Sequence, residues 1–337
     1  MRDEMVSFYS EGLKIEALVR RPDEKPTGPK GYPVIIHGPG YLGLANSRVW
    51  RFYNEVFVKA GFAVIAPNYR GFGGSEGERG WILPDVQLQD LVNTLSFVET
   101  VGDFDASRIG AYGHGGTGGG NAILLAGVDQ RIKCVAAQSP IADGATWLRS
   151  MRRNYEWLAF LERVEANARK RALEGRGEIV DPREEIMVAT PQRKQEVARA
   201  AADKANTDQT VGSEFHLASV EHILRYRPID YIKKISPRPV LLISLKRDAV
   251  TPEYLGSELL FEQALAPKTL VRQNEAITHY HSYERNLDLV GPILADFYHK
   301  HLVDSRLSVF RSDATGIAVE HVGLQGAVSE KGKGGRT

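Results

Sequence analysis

Short apolar runs alternate with stretches of helical period through the first part of the chain. "KIEALVRRPD", "YPVIIHGPG" and "FAVIAPNYRG" each read as a strand, and strands separated by helices are the order expected of a mostly parallel sheet covered on both faces. "VWRFYNEVFVKAG" supplies a helix between two of them and stops at Gly61. "PDVQLQDLVNTLSFVETV" opens with Pro84 and Asp85 and places Val86, Leu88, Leu91, Leu95 and Val98 close to one helical face. A strand at "RIGAYG", a glycine-rich turn, a helix from about Asn121 and a strand at "KCVAAQSP" follow.

After Asp143 the period changes. "WLRSMRRNYEWLAFLERVEANARKRAL" reads as one long charge-laced helix with Leu148, Met151, Tyr155, Leu158, Leu161 and Val164 on one side, ending at "EGRG". A second polar helical pattern lies in "TPQRKQEVARAAADKA", and no convincing strand is found between 145 and about 227. The segment therefore reads as a helical insertion, and an insertion at the ligand-binding edge of an open α/β sheet is expected to cap the site. The sheet resumes with "RPVLLISLKRD" and "KTLVRQNEAITHY", and "LVGPILADFYHKHL" closes the core as an amphipathic helix. The expected organisation is an α/β core over 1–144 and 228–303, a helical cap over 145–227, and a polar, glycine-rich tail over 304–337 whose end is disordered.

Composition narrows the partners. The 337 residues are 42% hydrophobic and 25% charged, the balance of a globular protein large enough for one sizeable core plus an insertion. Forty-three Lys and Arg against forty-two Asp and Glu give a net charge of +1, so no overall field favours nucleic acid or an anionic membrane, and a small, nearly neutral substrate fits better. The single cysteine, Cys134 in "IKCVAAQ", excludes an internal disulfide and reads as a buried strand residue. No run reaches the ~18 apolar residues that span a bilayer, and the N-terminus has no secretory h-region, so a cytoplasmic location is expected. The reading calls for no cofactor and admits a homodimer.

Five loops follow strand ends: "HGPGYLG" at 37–43, "YRGFGGSEG" at 69–77, "GHGGTGGGN" at 113–121, "RDAVTPE" at 247–253 and "ITHYHSYER" at 277–285. The carboxyl ends of parallel strands lie along one edge, so these loops converge on a candidate site.

In the order of these loops the chain, from roughly Ser7 to Leu302, resembles the α/β-hydrolase superfamily, particularly the branch of Xaa-Pro dipeptidyl-peptidase-like hydrolases and fungal polyketide transferases. "HGPG" is similar to the oxyanion loop, "GAYGHGGTGGG" to the nucleophile elbow, "LKRDAVTP" to the acid loop and "THYHSY" to the histidine loop. The resemblance implies an α/β-hydrolase fold with Asp248 as the acid and His279 as the histidine it orients. His281 competes with His279, since a strand through "HYH" would put both on one side. His279 is preferred because it follows the short "A-x-T" segment of the family pattern.

The chain departs from that pattern at two places. Counting from the strand, the usual serine position falls on Gly115; counting back from a helix at Asn121 it falls on Gly116, as if the turn were one residue longer. Neither is Ser, Cys or Asp. Thr117 is the nearest hydroxyl, expected to act as a helix cap, with activation by His279 as the alternative. The oxyanion loop carries Pro39, which has no N–H, so the amides of Gly40, Tyr41 or Gly116 would have to replace a missing donor. His114 either points into the pocket or is buried against the neighbouring loop, and although His37 also lies at this edge no ligand spacing supports a metal.

The leading function is hydrolysis of an ester, amide, lactone or activated C–C bond by a His279–Asp248 dyad acting on water without a serine ester. A lyase, a transferase or a cofactor-independent oxygenase could use the same base. A ligand-binding pseudoenzyme is the third reading, against which retention of both dyad residues argues. Trp147, Tyr155, Trp157 and Phe160 could line a hydrophobic chamber in the cap, and Arg149, Arg152 and Arg153 could receive a carboxylate.

Overall fold

The computed structural model describes residues 1–26, 28–41, 43–46, 48–188, 190–191, 194–195, 212–274, 286–306 and 317–324, without the side chains of 48–50. Nine strands form one sheet in the order β1-β2-β4-β3-β5-β6-β9-β10-β11. They are β1 Arg2–Ser10, β2 Leu13–Arg21, β3 Tyr32–Gly38, β4 Ala63–Pro67, β5 Phe104–His114, β6 Ile132–Gln138, β9 Val240–Leu245, β10 Lys268–Gln273 and β11 Ile317–Val322. The six strands from β4 to β10 run parallel, while β2 joins β4, and β11 joins β10, in antiparallel fashion. Strands β3, β4 and β9 are buried at every residue, which is why they read as continuous apolar runs. β1 alternates exposed and buried only at its end, as an edge strand does, and turns into β2 through Glu11 and Gly12, both with positive φ (50° and 86°) as a tight hairpin turn of matching twist requires.

Helices cover both faces. On one side, α1 (Arg48–Lys59) and the C-terminal helix (Leu287–Leu302) pack Tyr53, Phe57, Phe297 and Tyr298 against the sheet. On the other, α2 (Pro84–Val98) and α3 (Gly116–Val128) contribute Leu91, Leu95 and Ile123. The chain leaves β3 toward β4 on one side and returns to β5 on the other, so the loops after β3 and β5 open at the point where strand order reverses. That crevice is where open α/β sheets bind ligands.

Several expectations need correction. Helix α3 begins at Gly116, not near Asn121, so four of its first five residues are glycine. Packing overrides their poor helix propensity: a Cβ on Gly118 would lie 3.1 Å from the Gly40 Cα, one on Gly119 3.0 Å from the Pro140 Cα, and one on Gly120 would overlap the Tyr226 hydroxyl. On α2 the inward face carries Gln87 and Asp90 as well as Leu91, Leu95 and Val98, whereas Val86 and Leu88 are only half-buried.

The first insertion helix is two: α4 (Gly144–Ser150) and α5 (Asn154–Glu174). The break resets the helical phase, because Glu156 accepts from the Arg153 N–H and starts a new helix. As a result Phe160, Val164 and Asn167 face inward, and Tyr155 and Leu158 are exposed. The rest of the described insertion is a π-helical turn at Pro182–Ile186, helix α6 (Ser219–Leu224) and a two-residue strand pair, β7 (Ile179–Val180) with β8 (Phe215–His216). The second polar helical pattern falls largely outside the described residues. Residues 317–322, expected within a polar tail, form β11 against β10.

Candidate active site

Strand β5 ends at His114 and α3 starts at Gly116, so the turn between them is the single residue Gly115. Gly116 lies inside the helix. Gly115 has φ 70° and ψ 165°, a backbone region that only glycine occupies readily. A Cβ on the neighbouring Gly113 would overlap the Gly118 carbonyl, so strand and helix meet with no room for a side chain.

Three loops close on this turn. The "HGPG" loop lies against the first turn of α3, with Gly40 as close to Gly118 as glycines allow. The Pro39 carbonyl accepts from the Tyr69 hydroxyl at 3.3 Å. The segment after β6 passes over the helix start, where the Ile141 N–H donates to the Gly116 carbonyl at 2.8 Å. Within it Ser139 is held at φ 49°, an uncommon conformation for a side-chain-bearing residue, and is buried. The acid loop reaches the same place, because a Cβ on Gly116 would stand 3.7 Å from Thr251 Oγ1.

Asp248 is buried, and its Oδ1 accepts from the N–H groups of Val250 at 2.8 Å and Thr251 at 3.2 Å. The loop's own backbone thus orients the carboxylate. Trp147 of α4 holds the loop from above, its Nε1–H donating to the Val250 carbonyl at 2.7 Å. The Tyr41 ring meets Trp147 edge-on at 6.2 Å, and its hydroxyl points toward the Pro182 carbonyl at 3.4 Å, so its side chain faces the insertion. His279 and His281 lie outside the described residues.

Thr117 does not cap the helix. It is buried in the first turn, its hydroxyl has no partner among the described residues, and α3 has no side-chain cap. The first N–H groups of a helix lack intrahelical acceptors, so this uncapped start supplies donors and a positive dipole end beside Gly115.

His114 is buried. Its Nδ1 lies 3.1 Å from His37 Nε2, and His37 Nδ1 lies 2.5 Å from Asn54 Oδ1, within the rings of Tyr53 and Tyr112. Burial pulls the His37 pKa down to about 4, so it is neutral near pH 7. Among the described residues no group of His, Cys, Asp or Glu could hold a metal ion. Of the insertion arginines, Arg152 bonds the carbonyls of Leu148, Glu185 and Ile186, lies 3.8 Å above the Phe160 ring, and is lowered to about 10 by burial. Arg149 bonds the Arg152 carbonyl and Asn154, and Arg153 approaches the exposed Tyr155.

A buried polar layer beneath the elbow helix escapes sequence reasoning. Tyr226 donates to the Thr117 carbonyl at 3.1 Å and to Asn121 Oδ1 at 2.9 Å, while Asn121 Nδ2 donates to Gln87 Oε1 at 3.1 Å and to the Tyr69 hydroxyl at 3.2 Å. The available signal was Asn121 itself, a polar residue heading the apolar run "AILLAG".

The strands, helices and topology make an α/β-hydrolase fold. The α/β hydrolase GrgF from Penicillium sp. sh18 superposes with a TM-score of 0.72 at 18% identity, over 90% of this chain and 99% of its own. The chain belongs to the X-Pro dipeptidyl-peptidase (S15) family, whose model matches residues 11–219. An uncharacterized 31.7 kDa protein of the traX–finO intergenic region of Escherichia coli is 30% identical over 87% of this chain and 97% of its own. The quorum-quenching protein AidA of Acinetobacter baumannii (strain MDR-ZJ06) is 32% identical over 41% of this chain and 44% of its own.

Proposed function

We propose that the protein is a hydrolase of a small ester, amide, lactone or activated C–C substrate in which His279 and Asp248 act on a water molecule and no covalent serine ester forms. The observation that carries this reading is the one-residue turn at Gly115, which offers no nucleophilic side chain. Neutral His279 takes a proton from the water as its oxygen bonds to the substrate's carbonyl carbon, and Asp248 stabilises the resulting imidazolium. The N–H groups at the start of α3, with those of Gly40 and Tyr41, receive the developing oxyanion; collapse expels the leaving group, which takes the proton from His279. The insertion over 145–227 serves as the cap that excludes bulk water. Likeness to a quorum-quenching protein and to an α/β hydrolase supports hydrolysis of a small molecule.

A panel of esters, amides, lactones and β-diketones supplies the substrate for the test. His279→Ala should lower its turnover by at least about 10²-fold. A fluorophosphonate serine probe should leave the mass of the intact protein unchanged. Stoichiometric labelling would overturn the serine-free mechanism.

A further inference from the structure

The outward face of α5 departs from what a helix packed on a globular core presents to water. Phe160, Val164 and Asn167 are buried beneath it, so at 3.6 residues per turn the face directly opposite carries Tyr155, Ala159, Glu162, Ala166, Arg169 and Leu173. All six are exposed, Tyr155 at 63% and Leu173 at 87%, and Leu158 beside them is exposed at 52%. The face turned to solvent is expected to be the most polar one. Here its centre holds Tyr155, Ala159, Ala166 and Leu173, while Glu156, Arg163, Lys170 and Glu174 stand along one flank and Glu165 on the other.

The stripe also has a period. Its members follow one another by four and three residues in alternation, the spacing by which two helices pack along their length. Packing on the core does not explain that spacing, because the core contacts of α5 lie on its other side.

A second copy of α5, laid antiparallel about a two-fold axis level with Val164, matches the stripe layer by layer. Tyr155 meets Leu173 of the second copy, Ala159 meets its Arg169, and Glu162 meets its Ala166, so each long charged side chain crosses a small one. Arg169 then lies within one helical turn of the second copy's Glu162, and the two-fold axis repeats that contact. Within one copy Arg169 stands 3.8 Å from Glu165, an exposed pair worth little by itself. The charges at the centre of the stripe are thus complementary to the same stripe reversed.

We propose that α5 is the interface of a homodimer, in which two copies of this chain join through antiparallel α5 helices, with Tyr155 against Leu173 at the ends and Glu162 paired with Arg169 across the middle. The helix is about 30 Å long, and one helix on each side makes an interface at the low end of specific ones, about 1,000–1,200 Å² in total. Association is therefore weak, with a Kd on the order of 10 µM. The interface is independent of the hydrolytic reading, since none of its residues takes part in the proposed chemistry.

Sedimentation velocity of the full chain from about 1 to about 200 µM brackets that Kd and should show a monomer giving way to a dimer. Glu162→Arg and Arg169→Glu each set like charges against each other across the seam, and each should weaken the dimer at least about ten-fold, ~1.4 kcal/mol. Both residues are exposed, so circular dichroism should show either variant folded as wild type. Mixed in equal amounts, the Glu162→Arg chain brings two arginines to the stripe and the Arg169→Glu chain two glutamates, so a heterodimer should form where neither variant pairs with itself. A monomer throughout the range would leave the stripe to a different partner and overturn the proposal. A dimer indifferent to both charge reversals, or a mixture that stays monomeric, would overturn it as well.

Discussion

The Ile141 N–H donates to the Gly116 carbonyl at 2.8 Å, tying the loop after β6 to the first residue of the elbow helix. This bond, with Pro140 against Gly119 and Gly40 against Gly118, holds the start of α3 on two sides. The turn at Gly115 is therefore built into a rigid frame.

Because that frame holds Gly115 at φ 70° and ψ 165°, a side chain there is strained. Gly115→Ser should cost about 1–3 kcal/mol, which lowers Tm by about 1–4 °C for a chain of this length. Thermal unfolding by circular dichroism measures it, and a Tm equal to wild type would mean that the turn relaxes freely.

Thr117 buries a hydroxyl that has no partner among the described residues. Replacing it with an isosteric apolar side chain removes a desolvated polar group, so Thr117→Val should be neutral or stabilising by up to ~1 kcal/mol in urea unfolding and should keep most of the turnover. Loss of activity in a folded Thr117→Val protein would instead identify the hydroxyl as the nucleophile.

Tyr226→Phe removes the donor shared by Asn121 Oδ1 and the Thr117 carbonyl and costs the buried Asn121 Oδ1 this hydrogen bond. The expected loss is about 1–3 kcal/mol. Urea midpoints compared with those of Tyr298→Phe, whose hydroxyl donates to the Ala111 carbonyl at 2.6 Å on the opposite face, separate a local effect from general packing loss. If Tyr226→Phe matches wild type, the layer beneath α3 contributes nothing measurable.

Burial lowers the His37 pKa to about 4, and His301 is lowered to about 4 for the same reason. Between ~6.5, the value in the unfolded chain, and about 4, the unfolded state binds the proton and the native state does not. Unfolding free energy should therefore fall as pH drops through that window, by up to about 1.4 kcal/mol per pH unit from His37, and level off below it. His37→Gln should flatten the slope by about that amount in urea titrations at successive pH values. An unchanged slope would place the acid sensitivity elsewhere.

The central strands were legible because each is local: buried parallel strands require continuous apolar runs, and glycine or proline marks where they end. β3, β4, β6 and β9 lie where those runs are, and the elbow lies where "RIGAYGH" stops. The start of α3 was not legible. Glycines at Gly116 and Gly118 to Gly120 oppose a helix in isolation, and only the Gly40, Pro140 and Tyr226 contacts, which come from distant parts of the chain, make their lack of side chains a requirement.

Function divides in the same way. The sequence by itself determined the fold class, since this depends on residue type and order. Tertiary structure decided that the turn is one residue long, that His114 is buried with His37, and that Thr117 turns inward. It also decided that Gln87 and Asp90 belong inside, where distant Asn121 donates to Gln87 Oε1 and distant Arg70 and Ser10 donate to Asp90. The reason is physical: a partner lowers the cost of burying a polar residue, and the partner's position is a property of the whole fold.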